Sequence, residues 1–204
     1  MHPSKRRTLA TVLGTAAATL VALAVIGVVV IYAGLYNAAA TDEHSALVRW
    51  ALQTTAVRSM KVRAKEVKLP KLRPGSPDLL RAFRAFDGMC VQCHGAPGVE
   101  RSWLGRGIQP RGPDLSASAR HLTPAAIHWA IEHGFKFTGM PGLAPTHSED
   151  EIRELTAFVV LLGDMTAEAY QDLGKEARPE EQDSGAEAPK IPPESGDGHP
   201  HHRH

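Results

Sequence analysis

Apolar positions dominate the first forty residues of the chain. No charged residue occurs between Thr8 and Thr41, and the centre of this segment, LVALAVIGVVVIYAGLY, is almost purely apolar. A membrane-spanning helix needs about 20 such residues, whereas the apolar part of a cleaved signal peptide is roughly 7 to 15 residues long. The pattern predicts a transmembrane helix within residues 1–40. The small residues Ala38-Ala39-Ala40 leave signal-peptide cleavage as the alternative.

The flanks of this segment predict its orientation. Lys5, Arg6 and Arg7 precede it, and basic flanks stay in the cytoplasm. Tyr32 and Tyr36 follow it, where aromatic side chains anchor a span at the interface. We therefore expect a single-pass protein of the cell inner membrane whose remaining residues lie on the periplasmic side.

Residues 41–77 form a predicted linker. Small and apolar positions recur at helical spacing in it and predict a short amphipathic helix: Ala46, Leu47, Trp50, Ala51 and Thr54. A basic run from Arg58 to Arg73 follows, with seven basic residues against the single acid Glu66. We interpret this run as a solvated linker, with attraction to anionic lipid headgroups or to an acidic partner as the alternative.

Residues 78–173 carry the helical pattern of a folded domain. A first helix presents Leu79, Leu80, Phe83 and Phe86 on one face, with Asp78 as its predicted N-cap. No stretch alternates with period two, so the pattern predicts an all-α domain with Gly- and Pro-rich loops between its helices.

Two further helices carry start and stop signals. In HLTPAAIHWAIEHG, Thr123 is the predicted cap, Pro124 the first helical residue and Gly134 the stop. In HSEDEIRELTAFVVLLG, Ser148 and Glu151 predict a capping box. The apolar face of this third helix comprises Ile152, Leu155, Thr156, Val159 and Leu162. Gly163 is its predicted end, and TAEAYQDL is expected to add a turn or two.

Residues 174–204 are predicted to be a disordered acidic tail. They are rich in Glu, Pro, Gly, Ser and Asp and almost free of apolar residues, so they cannot bury enough surface to fold. The tail ends in GHPHHRH, whose histidines are either a loose metal-binding tract or without function.

Charge and motifs exclude several functions. The formal net charge is +1, so no global field favours nucleic acid. The chain has no Gly-rich phosphate loop, no nucleophile triad and no paired carboxylates, so no small-molecule substrate is expected.

The only two cysteines, Cys90 and Cys93, stand immediately before His94. A structural zinc site usually needs two separated ligand pairs, and the other histidines do not supply the second pair. A redox dithiol usually lies in a βαβ context, whereas this region is predicted to be helical. A disulfide across two intervening residues closes a very small loop and stabilises little. The pattern C-x-x-C-H is typical of c-type haem attachment, which takes place on the exported side of the membrane. Haem is the favoured interpretation, with zinc and redox chemistry as alternatives.

Residues ~78–165 resemble the class I c-type cytochromes, in particular the bacterial membrane-anchored monohaem type. The resemblance rests on Cys90-Val91-Gln92-Cys93-His94, on the following Gly95-Ala96-Pro97-Gly98, and on Thr138-Gly139-Met140-Pro141. It implies a small cytochrome c fold around one covalent haem c. Cys90 and Cys93 would be the covalent tethers and His94 the proximal ligand of the iron.

The resemblance also implies the remaining site residues. Met140 would be the sixth ligand, ahead of the other candidates Met60, Met89, Met165, His121, His128, His133 and His147. Gly112-Pro113-Asp114-Leu115 matches the loop whose proline carbonyl accepts a hydrogen bond from the proximal histidine. Trp103 and Trp129 are expected to pack on the haem or reach a propionate, with plain core packing as the alternative.

The function expected from the resemblance is that of a periplasmic, membrane-anchored one-electron carrier between a redox protein donor, such as a dehydrogenase or respiratory complex, and an acceptor protein. Two alternatives stay open: a peroxidase-like haem enzyme or gas sensor with a labile sixth ligand, and an integral cytochrome subunit of a larger oxidoreductase complex.

Overall fold

The computed structural model describes residues 3–178, and this part of the chain contains helices but no strand. An isolated antiparallel bridge joins Ala96 and Val99. The helices, in chain order, are α1 (Pro3–Tyr32), α2 (Ala46–Arg63), α3 (Pro77–Met89), α4 (Val91–His94), α5 (Trp103–Gly107), α6 (Leu115–His121), α7 (Pro124–His133), α8 (Glu149–Leu161) and α9 (Ala167–Ala177). The all-α prediction is confirmed.

Helix α1 coincides with the predicted membrane segment. Its stretch Arg7–Tyr32 reaches a mean hydropathy of 2.5, and none of that window is buried against the rest of the chain. By length and composition, this helix is able to cross a bilayer.

Helix α3 begins two residues earlier than predicted. The side chain of Ser76 accepts a hydrogen bond from the Leu79 N–H at 3.2 Å, and Pro77 is the first helical residue. The prediction that Asp78 is the N-cap is wrong, because Pro77 has a fixed φ and no N–H, which suits the first helical position and shifts the cap to the residue before it. Asp78 lies in the first turn, where it pairs with Arg81.

The signals for α7 and α8 are confirmed. Thr123 caps α7 by accepting from the Ala126 N–H at 3.2 Å, and Gly134 follows its end with a φ of 62°. Ser148 and Glu151 form both halves of the capping box of α8. All five residues of the predicted α8 face are buried, including Leu162, which is the C-cap.

The core lies where α3 packs against α8 and α9. Phe86 and Phe158 have ring centroids 5.2 Å apart, and Phe83 and Phe158 are 5.9 Å apart. Tyr170 of α9 completes this group, with its ring centroid 5.1 Å from that of Phe83. The first long helix of the domain therefore packs against the last long one, α8.

Helices α4, α5, α6 and α9 also differ from the sequence-based expectation. Helix α9 runs to Ala177, so residues 174–177 are helical rather than part of the tail; the predicted disorder and the histidine tract of residues 179–204 lie outside the described residues. The short helices α4, α5 and α6 occupy segments expected to be loops. Ser102 caps α5 and Asp114 caps α6, so local side-chain hydrogen bonds explain two of these turns.

Helix α2 is longer than predicted, with 18 residues, and it packs against α7. Met60 is its one buried side chain, with 4% exposed. The linker is thus attached to the domain through α2.

Candidate functional site

The two thiols lie at the junction between α3 and α4. The backbone N–H of Cys90 donates to Phe86 O at 2.8 Å, and the N–H of His94 donates to Cys90 O at 2.9 Å. One continuous helical path therefore carries Cys90, Cys93 and His94 out of the core. Both cysteines are half-buried free thiols. Burial, followed by the neighbouring Cys93, raises the pKa of the Cys90 thiol to about 12.

The imidazole of His94 is oriented by a backbone carbonyl. Its Nδ1 lies 2.8 Å from Pro113 O, and because a carbonyl can only accept, Nδ1 carries the proton and donates it. Burial lowers the pKa of His94, the bond to Pro113 opposes that shift, and Arg101 adds to it. The ring is therefore held neutral with the lone pair on Nε2, which is the form that ligates a metal.

Gly112 lies against the same ring. A Cβ atom added at Gly112 would stand 3.0 Å from both Cε1 and Nδ1 of His94 and 3.2 Å from Cys93 O. A larger residue would push the ring or the loop aside. The structure thus brings the predicted residues Gly112 and Pro113 together with Cys93 and His94.

A second glycine allows α5 to approach the cysteines, and it was not predicted. A Cβ atom at Gly105 would lie 2.8 Å from the Cα of Cys93. Ser102 positions this helix, because its N–H and its hydroxyl both donate to Gln92 O, each at 3.0 Å. In the sequence, Gly105 follows the capping residue Ser102 by three positions. This spacing indicates a short helix but does not show that the helix packs against Cys93.

The loop that carries Met140 is fixed to the end of α7. The Phe135 N–H donates to Met140 O at 3.2 Å, and the Met140 N–H donates to Thr138 Oγ1 at 3.1 Å. The Thr138 hydroxyl in turn donates to Phe135 O at 2.8 Å. Gly134 has a φ of 62° and is packed against the backbone of Met140, so the turn into this loop requires glycine.

Ile108 links the methionine loop to the histidine. A Cβ atom at Gly139 would lie 2.8 Å from Cγ2 of Ile108, four residues before Gly112. One segment, residues 108–113, therefore contacts His94 at one end and the Met140 loop at the other. The sequence analysis did not identify Ile108, because this contact depends on the fold alone.

The two predicted tryptophans occupy different environments. Trp103 is 79% exposed at the start of α5. Trp129 is half-buried, with its ring edge-on to His133 at 5.1 Å and to Phe135 at 5.7 Å between centroids. Neither indole N–H donates a hydrogen bond to another residue within residues 3–178.

An open cleft of about 520 Å³ borders His94 on the side of Leu115, Leu162 and Met165. Neither cysteine lines it, and neither does Met140. The cleft therefore borders the imidazole but not the thiols, and it does not by itself define the site.

These residues fit a covalently attached haem. Two free thiols separated by two intervening residues and one neutral imidazole with an available Nε2 are the donors that c-type attachment requires. A zinc site has less support, since residues 3–178 contain no cluster of three Cys, His, Asp or Glu side chains able to hold a metal ion.

Comparison with known proteins identifies the domain. Residues 77–159 match the family model "Cytochrome C oxidase, cbb3-type, subunit III". No curated protein and no solved structure matches the chain. The matched range contains both cysteines, His94 and the Met140 loop, and it includes α3 and most of α8, which belong to the core described above. Residues 77–159 are therefore a c-type cytochrome domain, which implies a covalently bound haem c with its iron and haem-based electron transfer.

Proposed function

We propose that the chain is a membrane-anchored, monohaem electron carrier of the periplasm. Cys90 and Cys93 are the thioether tethers, His94 is the proximal ligand and Met140 is the distal ligand. When bound, haem supplies an iron ion that exchanges one electron between its ferric and ferrous states.

The hydrogen bond from His94 Nδ1 to Pro113 O is the observation that carries the proposal. It directs the lone pair of Nε2 toward a ligand, and it raises the basicity of the imidazole, which is what a proximal histidine needs. The contact between Gly112 and the ring keeps the imidazole from rotating away.

The assignment of Met140 is supported by the way its backbone is held. Both its N–H and its carbonyl are hydrogen-bonded within the loop, and Gly139 packs on Ile108. A methionine held in this way would offer its thioether to the iron with little reorganisation of the loop. If His94 and Met140 both hold the iron, no ligand position is left for a substrate, which favours a carrier over an enzyme.

The cellular location is inferred from α1. Its length and hydropathy are those of a span, and the basic residues before it support a haem domain on the periplasmic side of the inner membrane. The anchor would confine the carrier to diffusion along the membrane between a donor dehydrogenase and an acceptor.

Optical spectroscopy of the purified protein tests the proposal. The pyridine haemochrome is expected to be of c type, and the ferric protein should show the long-wavelength band of thioether ligation. Carbon monoxide should bind slowly to the ferrous form. Rapid carbon monoxide binding without the thioether band would contradict the carrier function and support a haem enzyme or gas sensor.

A second candidate is an integral subunit of a larger oxidoreductase, because the matching family model describes a subunit of an oxidase. Gentle solubilisation followed by size-exclusion chromatography distinguishes the two. A free carrier elutes alone, whereas a subunit elutes with stoichiometric partners.

A further inference from the structure

Helix α2 has an apolar face without a partner in the described chain. Leu47 and Trp50 are 72% and 63% exposed, and Val57 is 39% exposed on the same side, at helical spacing. Arg58 and Lys61 border these residues, and together with Trp50 and Val57 they line an open cleft of about 380 Å³. We call Leu47, Trp50, Val57, Arg58 and Lys61 the α2 face.

The other side of the helix is attached to the domain. Met60 is buried, and Val48, Ala56 and Ser59 are half-buried on the side where α2 packs against α7. The helix is therefore held in a fixed rotation that leaves the α2 face outward. An exposed tryptophan next to an exposed leucine is costly in water and marks a surface that is covered by something else.

The charge around the α2 face is strongly positive. From Ala46 to Gly75 the sequence has eight Lys and Arg residues and the single acid Glu66. Arg49 is paired with Glu43, but within residues 3–178 no acid pairs with Arg58 or Lys61. An apolar stripe bordered by unpaired basic side chains is suited to bind a surface that is both apolar and anionic.

Helix α2 follows the proposed membrane anchor closely in the chain, so the bilayer surface lies near it. Helix α1 ends at Tyr32 and α2 begins at Ala46, so residues 33–45 alone separate them. This connection extends to at most about 45 Å when fully stretched. The α2 face therefore stays close to the bilayer that α1 is proposed to span.

We propose that the α2 face binds the anionic headgroup region of the membrane, with Trp50 and Leu47 inserted at the interface and Arg58 and Lys61 on the lipid phosphates. Each basic residue near an anionic surface strengthens binding roughly fivefold. Because α2 packs on α7, and α7 leads into the Met140 loop, this contact fixes the orientation of the cytochrome domain relative to the membrane. The inference rests on the proposed anchor and is independent of the proposed axial ligands.

The experiment uses the full-length holoprotein in lipid nanodiscs. Hydroxyl-radical footprinting with mass spectrometry measures the oxidation of Trp50, with Trp103 of the same molecule as the internal reference. Nanodiscs containing phosphatidylglycerol are compared with nanodiscs of phosphatidylcholine alone. The ratio of Trp50 to Trp103 oxidation is expected to fall several-fold in the anionic nanodiscs.

Charge variants separate lipid binding from other kinds of protection. Arg58→Gln with Lys61→Gln should restore the oxidation of Trp50 in anionic nanodiscs. The matched control, Lys136→Gln with Lys175→Gln, removes the same charge from other exposed positions and should leave Trp50 protected. The haem spectrum of each variant confirms that its domain is folded.

The possible results are distinct. If Trp50 is oxidised freely in both lipids, the proposal is overturned. If Trp50 is protected to the same degree in both lipids, the proposal is also overturned, because a protein or a second copy would then cover the face. Failure of the chain to enter nanodiscs contradicts the proposed anchor instead.

Discussion

The hydroxyl of Tyr170 donates a hydrogen bond to Asp87 Oδ1 at 2.9 Å and so joins α9 to α3. Tyr170 is only 3% exposed, and Arg178 forms an ion pair with the other oxygen of the same carboxylate. The C-terminal helix, which lies beyond the range matched by the family model, is therefore part of the folded core.

We expect Tyr170→Phe to lower the free energy of unfolding by about 1 to 2 kcal/mol, because it removes a buried hydrogen bond to a charged acceptor while keeping the ring. Guanidinium unfolding of the full chain in detergent, followed by circular dichroism, measures this. Tyr32→Phe, at a side chain that is 88% exposed, should have no effect. Equal stability of wild type and Tyr170→Phe would show that this hydrogen bond does not contribute to the attachment of α9.

The contact between Gly112 and His94 predicts a steric effect. Gly112→Ala places a methyl group 3.0 Å from the imidazole, so the ring or the Pro113 carbonyl must move. Overpacking of this kind costs about 1 to 3 kcal/mol of stability. A longer bond to Pro113 makes the imidazole less basic, which raises the reduction potential, measurable by redox titration.

The matched control is Gly107→Ala. Nothing lies within 4 Å of the Cβ position at Gly107, so neither stability nor potential should change appreciably. An unchanged potential in Gly112→Ala would contradict the role given to the bond between His94 and Pro113.

If Met140 is the sixth ligand, its replacement changes the ligand field of the iron. Met140→His should abolish the thioether band and lower the reduction potential, because Met/His ligation has a higher potential than bis-His. Met165→Leu, at the edge of the cleft beside His94, should leave both unchanged. Retention of the thioether band in Met140→His would assign the sixth ligand to another methionine.

His128 predicts a pH dependence of stability. Its Nδ1 lies 3.1 Å from Thr156 Oγ1, and the Thr156 hydroxyl donates to Ile152 O at 2.7 Å, so Nδ1 carries a proton and donates it. Burial lowers the pKa of His128; Glu132 and Glu149 oppose that shift, and Arg153 and His133 add to it.

A histidine whose pKa is lowered by folding stabilises the fold above its unfolded pKa of about 6.5, and that stability is lost as the pH falls below this value. Unfolding at pH 5, 6 and 7.5 should therefore show a smaller acid destabilisation in His128→Gln than in wild type. An identical pH profile in the two proteins would assign the acid sensitivity to other groups.

Local signals in the sequence predicted α7 and α8 because their caps bond to residues three positions away: Thr123 to Ala126, and Ser148 to Glu151. The same logic failed at α3, where Pro77 moved the cap to Ser76. The pattern Cys90-Cys93-His94 is also local, and its haem chemistry was predictable. Gly105 and Ile108 act through neighbours that are distant in sequence, and Met60 is buried only because α2 packs on α7. Such contacts have no periodicity that a single sequence displays.

Both contacts that hold the His94 ring come from main-chain atoms: the carbonyl of Pro113 and the Cα of Gly112. The hydrogen bond that orients the imidazole therefore uses no side chain of that loop. Gln109 and Arg111 contribute no atom to it, so substitutions there leave both of its partners in place. A change of charge at these positions would act on the imidazole only through space, as Arg101 does.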